Sequence, residues 1–344
     1  MPYILDDMGV NAPVFSKSLT PEKEQIQAIL APAGLTLRQV SKPQNGLSGS
    51  VWVLETDQGD SILKVSRDPA EDWNPIKERI VYGLLRDQGV PAPSVFAADC
   101  SRRLVPFAYT LSERLPGVTL SQAYSDLSDA EKMDIYIQLG DLLGRMHSLT
   151  FDHFGDVAER EGEVVAGPAL ELAEEAEGRQ IGPFTTWHEM HREIVRGRLA
   201  FLSRTEFQSL TEPTQVWFDR RDALLNDAIT PRLLHMDLHR SNILVAGGKI
   251  TGVIDVEEAV IGHNEYDLMR LELAHFGEGE DALRAAFFQG YGAHMTLDAG
   301  YERPRPFYEM SRMLVALRCL VVFGSSDPEE THRAGTRVYE LLDL

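Results

Sequence analysis

The sequence His235-Met-Asp-Leu-His-Arg-Ser-Asn242 is followed by Ile-Leu-Val-Ala-Gly-Gly-Lys-Ile-Thr-Gly-Val and then by Ile254-Asp255. Apolar residues on both sides of the Gly-Gly pair predict two short strands joined by a tight turn. The pattern places Asp237 and Asn242 on a short loop and Asp255 at the end of the adjoining hairpin. We therefore expect two of these polar side chains on the loop and the third at the end of the hairpin.

These residue types suit one kind of chemistry. An aspartate such as Asp237 can accept a proton from a substrate hydroxyl. The amide oxygen of Asn242 and the carboxylate of Asp255 are hard oxygen donors of the kind that bind magnesium carrying phosphates. Phosphoryl transfer needs both tasks, because the nucleophile must be positioned and the charge of the transferred group neutralised. The pattern predicts Asp237 as the catalytic base and Asn242 and Asp255 as metal ligands.

The H-x-D-x-x-x-x-N pattern, with Ile-Asp after the hairpin, resembles the signature of aminoglycoside phosphotransferases and their kinase-like relatives. The resemblance implies ATP and Mg²⁺ as cofactors and a hydroxyl group of a small molecule as the acceptor. It implies an α+β, bilobal protein-kinase-like fold with a small β-rich N-lobe and a large helical C-lobe. The family usually has glycine where this chain has Met236, so we expect the packing of this loop to differ.

The order of predicted elements fits this layout. Strands predominate before Ser112-Glu-Arg-Leu-Pro-Gly117, which looks like a break between lobes, and helical periodicity predominates after it. We predict a nucleotide-binding N-lobe over residues 1–113. Residues 114–344 are then a C-lobe with the catalytic loop, the metal ligands and the acceptor site.

Lys64 lies inside the apolar strand Ile62-Leu-Lys-Val, where a lysine needs a reason. By the family resemblance, it contacts the α- and β-phosphates of ATP and pairs with a glutamate on a helix. Glu78 is the expected partner, one turn into the helix that begins at Pro75. The alternative for Lys64 is a solvated position on an edge strand.

Two further segments are assigned to the nucleotide by their position. Asn45-Gly-Leu-Ser-Gly-Ser resembles the phosphate-covering loop of kinases, and its small residues Ser48 and Gly49 would let backbone N–H groups approach phosphates. The same segment would also suit a plain hairpin turn. Backbone groups of Glu113 and Leu115, in the hinge-like segment, are predicted to bind the adenine edge.

Composition excludes some partners and favours others. A formal net charge of −20 disfavours nucleic acid and anionic membranes and attracts cations, although it also serves solubility. Cys100 and Cys319 are far apart and have no metal or redox spacing. We expect a cytoplasmic protein, monomeric or homodimeric, that binds a small-molecule substrate and neither nucleic acid nor membrane.

An acidic region follows the helix predicted over residues 129–149, and family insertions at this place tend to border the acceptor pocket. We therefore predict a cationic acceptor such as an amine-bearing antibiotic or amino sugar, with a solvated acidic face as the equal alternative. The acids are Asp156, Glu159, Glu161, Glu163, Glu171, Glu174, Glu175 and Glu177.

Residues close to the motif receive no chemical role from the sequence. His239 is expected to have no chemical task, and Glu257 and Glu258 are expected to form a solvated face rather than to line the acceptor site. Asp267 is predicted to cap a helix that supports the metal-binding loop. The segment before Trp187, Thr-Thr-Trp, looks like one in hygromycin-type phosphotransferases.

Other functions remain as alternatives. Metabolic kinases for fructosamines, choline or homoserine share the same signature. A catalytically inactive nucleotide-binding pseudokinase is disfavoured because no residue of the motif is missing. A protein kinase is disfavoured because Val256-Glu257 replaces Phe-Gly after Asp255 and the chain has no A-P-E motif.

Overall fold

The structure is a computed structural model that describes residues 20–42, 51–66, 74–169, 181–225, 228–297, 300–323 and 336–342. The chain forms two compact units. The first, the sheet unit, contains the described residues up to Glu131 together with Ser241–Glu257. The second, the helical unit, contains Lys132–Arg240 and the described residues from Glu258 onwards. The hairpin of the motif therefore belongs to the same unit as the N-terminal strands.

The sheet unit is built around a five-stranded antiparallel sheet with the order β1-β2-β3-β5-β4. These strands are β1 (Leu37–Ser41), β2 (Val51–Thr56), β3 (Gly59–Ser66), β4 (Val95–Asp99) and β5 (Ala108–Glu113). Side chains alternate between the faces of a strand, so Leu63 and Val65 enter the core while Lys64 lies on the opposite face. Helix α1 (Lys23–Leu30) adds Ile26, Ile29 and Leu30 to that core.

The same unit contains α2 (Asn74–Asp87), α3 (Leu120–Ala123), β6 (Val118–Thr119) and the hairpin of β10 (Ile243–Ala246) and β11 (Lys249–Val253). Strand β10 lies between β11 and β6. The hairpin turn is Gly247-Gly248, and both glycines have positive φ angles, as the tight turn predicted from the sequence requires. The N–H of Val253 donates to Pro91 O, which ties the hairpin to the chain before β4.

The helical unit combines helices with a four-stranded antiparallel sheet of order β8-β7-β12-β9. Its strands are β7 (Gly155–Arg160), β8 (Glu163–Gly167), β9 (Arg232–Leu234) and β12 (Val260–Gly262). Its helices are most of α4 (Asp129–Ser148), α5 (Trp187–Leu202), α6 (Gln208–Asp219), α7 (Asn264–His275), α8 (Asp281–Tyr291) and α9 (Arg305–Phe323). The mixture of antiparallel sheets and helices confirms the predicted α+β class.

An aromatic cluster forms much of the core of the helical unit. Trp187 is buried and its Nε1–H donates to the hydroxyl of Tyr308 at 2.9 Å, which satisfies the polar atom of a buried indole. The ring of Tyr308 stacks on that of Tyr266. Helix α9 thereby packs on α5 and α7, the helix that follows β12. None of the helices in the described ranges is both long and apolar enough to cross a lipid bilayer.

Candidate active site

Lys64 lies on β3, in the middle of the five-stranded sheet, so the edge-strand alternative is wrong. Its ammonium group is surrounded by carboxylates at short distances: Nζ is 3.2 Å from Oε1 of Glu78 and 3.0 Å from Oδ1 of Asp255. Burial lowers the pKa of Lys64, but the charges of these carboxylates outweigh burial and raise it well above its ordinary value. Lys64 is therefore a fixed positive charge at neutral pH.

Glu78 is held by helix α2 on the face of the sheet that carries Lys64. Its side chain is buried, and Oε2 accepts a hydrogen bond of 2.7 Å from the hydroxyl of Thr110 on β5. The structure thus brings together Lys64 and Glu78 as the sequence predicts. One carboxylate oxygen of Glu78 contacts Lys64 and the other contacts Thr110, so Glu78 holds the ammonium group of Lys64 in one place.

Asp255 follows β11 in a left-handed backbone conformation with φ of 62°, which is uncommon for a residue other than glycine. Its N–H donates to the hydroxyl of Tyr82 on α2 at 3.0 Å. Asn242 precedes β10 and is buried, and its carbonyl oxygen accepts from the N–H of Ile254 at 3.0 Å. These two backbone hydrogen bonds lie at the end of the hairpin opposite its turn, and they fix the backbone positions of both predicted metal ligands. Local strain at Asp255 is typical of functional positions.

Glu257 is a member of this cluster that sequence reasoning missed. Its Oε1 lies 2.5 Å from Nζ of Lys64, so the expectation of a solvated face is wrong for Glu257, while Glu258 is exposed. Burial raises the pKa of Glu257 to about 7. The charge of Lys64 opposes this rise, whereas the charges of Asp255 and Glu78 add to it. The available signal was its position two residues after Asp255, which did not indicate which way the side chain turns.

The cluster fits a divalent cation. Carboxylate oxygens of Glu78, Asp255 and Glu257 lie within 4.8 Å of one another. Oxygen donors of this type are those that Mg²⁺ prefers, usually through one or two carboxylates together with substrate phosphates. The residues of the sheet unit therefore match the predicted metal, with Asp255 as the member named from the sequence.

In the helical unit, Asp267 organises the loop that begins at His235. This carboxylate is buried in the first turn of α7, where it accepts from the backbone N–H of His235 at 2.7 Å and of Met236 at 2.9 Å. His147 lies 3.1 Å from the same carboxylate through Nε2. Burial raises the pKa of Asp267, but the bonds and charges of His147 and His235 outweigh burial and lower it. Asp267 supports the loop as predicted, although His263 is the residue at the helix cap.

Met236 shows why the family prefers glycine at this position. Its φ of 69° lies in the left-handed region, which costs about 1–2 kcal/mol for a residue with a side chain. The two hydrogen bonds that the backbone N–H groups of His235 and Met236 donate to Asp267 hold this conformation, and the Met236 side chain is buried in the core of the unit. In this loop a methionine is therefore held in a strained backbone conformation.

The remainder of the loop is tethered by His275 and Arg240. Burial lowers the pKa of His275 to about 3, so the ring is neutral. Nε2–H then donates to the carbonyl of Leu238 at 2.8 Å, and Nδ1 accepts from the hydroxyl of Tyr136. Arg240 donates to the carbonyl of His275 at 2.7 Å. The backbone is thus fixed on both sides of Asp237.

Asp237 is about one third exposed, which leaves it accessible to a substrate. Its Oδ2 lies 3.5 Å from Nε2 of His239, and its Oδ1 lies 3.8 Å from Nη2 of Arg270 on α7. Burial raises the pKa of Asp237, but the hydrogen bond of His239 and the charge of Arg270 outweigh burial and hold it below its usual range. His239, expected to have no chemical task, therefore helps to keep Asp237 ionised.

Among the residues assigned to the nucleotide by their position, the structure describes only those of the hinge-like segment. Ser48 and Gly49 lie outside the described residues. Glu113 ends β5, and its N–H donates to Ser94 O at 2.8 Å, so this N–H is not available to a nucleotide. The carbonyl of Glu113 and the backbone of Leu115 stay predictions for the adenine contact.

The acidic region is only partly described. Asp156 is buried on β7, and Glu159, Glu161 and Glu163 lie on the β7–β8 hairpin. Glu171, Glu174, Glu175 and Glu177 lie outside the described residues. The role of this region at an acceptor pocket stays a prediction.

A cavity of about 530 Å³ lies in the helical unit beside α5 and α6. Phe184, His191, Phe218 and Phe307 are among its lining residues. Asp237 and Arg270 are not, so this cavity is separate from the cluster around the predicted base.

The chain matches a known enzyme family and two curated enzymes. Residues 39–307 match the family model described as the phosphotransferase enzyme family, which is most of the chain. Hygromycin-B 4-O-kinase of Escherichia coli is 24% identical over 196 residues, which are 57% of this chain and only 51% of that enzyme. Homoserine kinase of Pseudomonas aeruginosa is 27% identical over 253 residues, which are 72% of this chain and 68% of that enzyme. The chain thus spans about half to two thirds of these curated relatives.

A solved structure matches over nearly the whole chain. It is a thermostable mutant of aminoglycoside phosphotransferase APH(4)-Ia in ternary complex with AMP-PNP and hygromycin B. The TM-score is 0.64 at 17% identity, with 94% of this chain and 98% of that chain covered. At this identity the likeness concerns the fold. It confirms the predicted protein-kinase-like fold, and the family match confirms the resemblance seen in the sequence.

Proposed function

Because the chain belongs to the phosphotransferase enzyme family, we propose that it transfers the γ-phosphoryl group of ATP to a hydroxyl group of a small molecule. The observation that carries the proposal is the cluster of Lys64 with Glu78 and Asp255. A partly buried cation fixed by a helix glutamate beside an oxygen-donor cluster suits the phosphates and metal of a nucleotide. The structure of APH(4)-Ia with AMP-PNP supports a nucleotide of this type in the fold.

In this proposal the sheet unit binds the nucleotide. Lys64 contacts the α- and β-phosphates, and Glu78 keeps its ammonium group in position. Asn242 and Asp255 would hold Mg²⁺, which would neutralise charge on the phosphates during transfer. Glu257 gives up its contact with Lys64 when phosphates take its place, since one ammonium group cannot bind all of these anions at short distance.

Asp237 is the proposed base in the helical unit. It accepts the proton of the acceptor hydroxyl as the oxygen attacks the γ-phosphorus and the bond from that phosphorus to the leaving ADP oxygen breaks, so the carboxylate must be ionised beforehand. His239 and Arg270 keep it ionised, and the bonds of Asp267 to the loop hold its backbone in place. A positioned base on a fixed loop is the arrangement that phosphoryl transfer requires.

Two acceptor classes have support. An amine-bearing antibiotic or amino sugar is favoured by the net charge of −20, by the acids of the β7–β8 hairpin and by the likeness to hygromycin-B 4-O-kinase. Such an acceptor would make the chain an antibiotic-resistance enzyme. A metabolic acceptor is favoured by the longer match to homoserine kinase, as a kinase of that type would use a small hydroxy compound. We place either reaction in the cytoplasm, carried out by a monomer or a homodimer.

The test is a screen of ATP consumption against aminoglycosides, aminocyclitols, sugars, amino alcohols and hydroxy amino acids, with phosphorylated product identified by mass spectrometry. We expect acceptor-dependent formation of one phosphomonoester that requires Mg²⁺. The Asp237→Asn variant is the control for contaminating kinases, since it differs from the wild type by one amide. Nucleotide binding without phosphorylation of any acceptor would contradict the proposal and favour an inactive nucleotide-binding protein.

A further inference from the structure

Arg270 lies beside the predicted base but is poorly satisfied by its surroundings. Only 11% of its side chain is exposed, and its single ion pair among the described residues is the one with Asp237. The separation of 3.8 Å is longer than a hydrogen bond. A guanidinium group has five N–H donors, so most of those of Arg270 have no acceptor in the described part of the chain.

Arg312 is a second guanidinium group that is affected by the charges of both Arg270 and Asp237. It lies on α9, which packs against the α7 helix of Arg270, and it is partly buried. Within the described ranges it makes neither a hydrogen bond nor a close ion pair. Burial and the neighbouring charge of Arg270 lower the pKa of Arg312 to about 10, while the weaker effects of Cys319 and Asp237 oppose this. The charges of Asp237, Arg270 and Arg312 therefore influence one another.

Another arginine of the same unit shows what a structural arginine looks like here. Arg198 is buried, and its Nη1 donates to the hydroxyl of Tyr266, the carbonyl of Ser311 and the hydroxyl of Ser311. Buried arginines are normally satisfied in this way. Arg270 and Arg312 are not, although they belong to the same helical core. Two positive charges thus act on the single charge of Asp237, which is an arrangement for an anion that enters from outside.

We propose that Arg270 and Arg312 bind an anionic oxygen group of the acceptor, a carboxylate or a phosphate, next to the hydroxyl that Asp237 deprotonates. Guanidinium groups recognise carboxylate and phosphate through paired hydrogen bonds, and two of them beside the base fix the hydroxyl in position. The inference rests on the proposed function, since it takes Asp237 as the base. It selects hydroxy acids, hydroxy amino acids or phosphorylated alcohols as the acceptor class and disfavours a polycation.

The first experiment tests the anion site without any turnover. We expect malonate and inorganic phosphate, compared with chloride at equal ionic strength, to raise the Tm of the wild type by at least about 2 °C. The increase should be lost in the double variant Arg270→Gln/Arg312→Gln. It should persist in Lys64→Ala, which excludes binding at the nucleotide phosphates, and in Arg192→Gln, a matched change of an exposed arginine on α5. Asp237→Asn should bind the anions more tightly, because a competing carboxylate is gone. An unchanged increase in the double variant overturns the proposal.

The second experiment uses matched acceptors, namely L-homoserine against its amide, glycerol 3-phosphate against glycerol, and hygromycin B as the cationic arm. The carboxylate arm and the phosphate arm distinguish the two sources of the anion. For the accepted anion we expect Arg312→Gln to raise the acceptor KM at least about 10-fold, with a smaller change in kcat and partial recovery in Arg312→Lys.

The outcomes separate this inference from the proposed function. If Arg312→Gln lowers kcat equally for every acceptor, the arginines act on the transferred phosphoryl group, and the proposal is wrong. Turnover of hygromycin B with a KM that neither arginine variant changes would also overturn it. If no compound is phosphorylated, the proposed function fails, while the Tm experiment still decides whether the arginines form an anion site.

Discussion

Oε1 of Glu257 lies 2.5 Å from Nζ of Lys64, closer than the carboxylate oxygens of either Glu78 or Asp255. Under the proposed function, a nucleotide phosphate at Lys64 would therefore compete with Glu257. We predict that Glu257→Gln lowers the KM for ATP by about 2- to 5-fold, the range expected for losing one partly exposed competing ion pair. Initial rates at varied ATP concentration measure this effect.

Glu258→Gln is the matched control, because it removes the same charge one residue further along, where the side chain is exposed. It should leave the KM for ATP unchanged. A higher KM in Glu257→Gln would mean that Glu257 assists the metal or the nucleotide, and the competition described here would be wrong.

Asp267 supports the loop of the predicted base, so its charge should be important for stability. We predict that Asp267→Asn lowers the free energy of unfolding by about 2–4 kcal/mol, because an amide cannot accept from both His235 and Met236 N–H groups as the carboxylate does. Denaturant unfolding measures the loss. Asp281→Asn, an exposed acid in the first turn of α8, should change stability much less.

The same pair of proteins gives a pH test. The pKa of Asp267 is lowered in the folded state, so its contribution is present above the ordinary carboxyl pKa of about 3.9 and is lost as the pH falls through the folded value. The stability difference between wild type and Asp267→Asn should therefore narrow in acid. A difference that stays constant down to acid unfolding would contradict the charged hydrogen bonds.

At position 236, a glycine variant should be more stable than an alanine variant, which is the reverse of their usual order. Both substitutions remove the buried side chain, but only glycine adopts φ of 69° without strain. We predict that Met236→Gly is more stable than Met236→Ala by about 1 kcal/mol. At Met269, buried within helix α7, alanine should be the more stable of the two by about 1 kcal/mol. The same order at both positions would contradict the strained loop.

Arg270 should set the acid limit of activity. In the wild type, the lowered pKa of Asp237 means that the base is not protonated near neutral pH, so kcat/KM should not fall from this cause until well below pH 5. Removing a positive charge raises a carboxyl pKa, so Arg270→Gln should move the acid limb of the profile to higher pH. Arg192→Gln should leave the limb in place, and an unmoved limb in Arg270→Gln would exclude an electrostatic role.

Local patterns in the sequence were sufficient for part of the site. The Gly247-Gly248 turn was predictable because apolar runs flank it. The pair of Lys64 with Glu78 was predictable from the family resemblance, in which a strand lysine pairs with a helix glutamate. The three motif residues lie on the elements expected for them. The family match supports the fold that they imply.

Contacts between distant parts of the chain were not predictable in this way. Lys64 and Asp255 are 191 residues apart, and His147 and Asp267 are 120 residues apart. No local period records which side chains meet across such distances, so the contact of Glu257 with Lys64 and the arginines beside Asp237 were missed. The expectation of a cationic acceptor relied on the acidic residues that follow one another in the sequence. The proposal of an anionic acceptor relies on the arginines that the fold brings near Asp237.

Replacing Asp237 tests the proposed reaction directly, because that reaction requires this carboxylate as the base. Asp237→Asn keeps the size and hydrogen-bonding shape of the side chain and removes its ability to take a proton. With the acceptor found in the screen, we predict that kcat falls by a factor of at least about 10², the usual value of a positioned base. The Kd for AMP-PNP, measured by calorimetry on the same preparation, should stay within a factor of about 2, well below the tenfold that 1.4 kcal/mol represents. Turnover of that acceptor at the wild-type rate would show that Asp237 is not the base and would contradict the account.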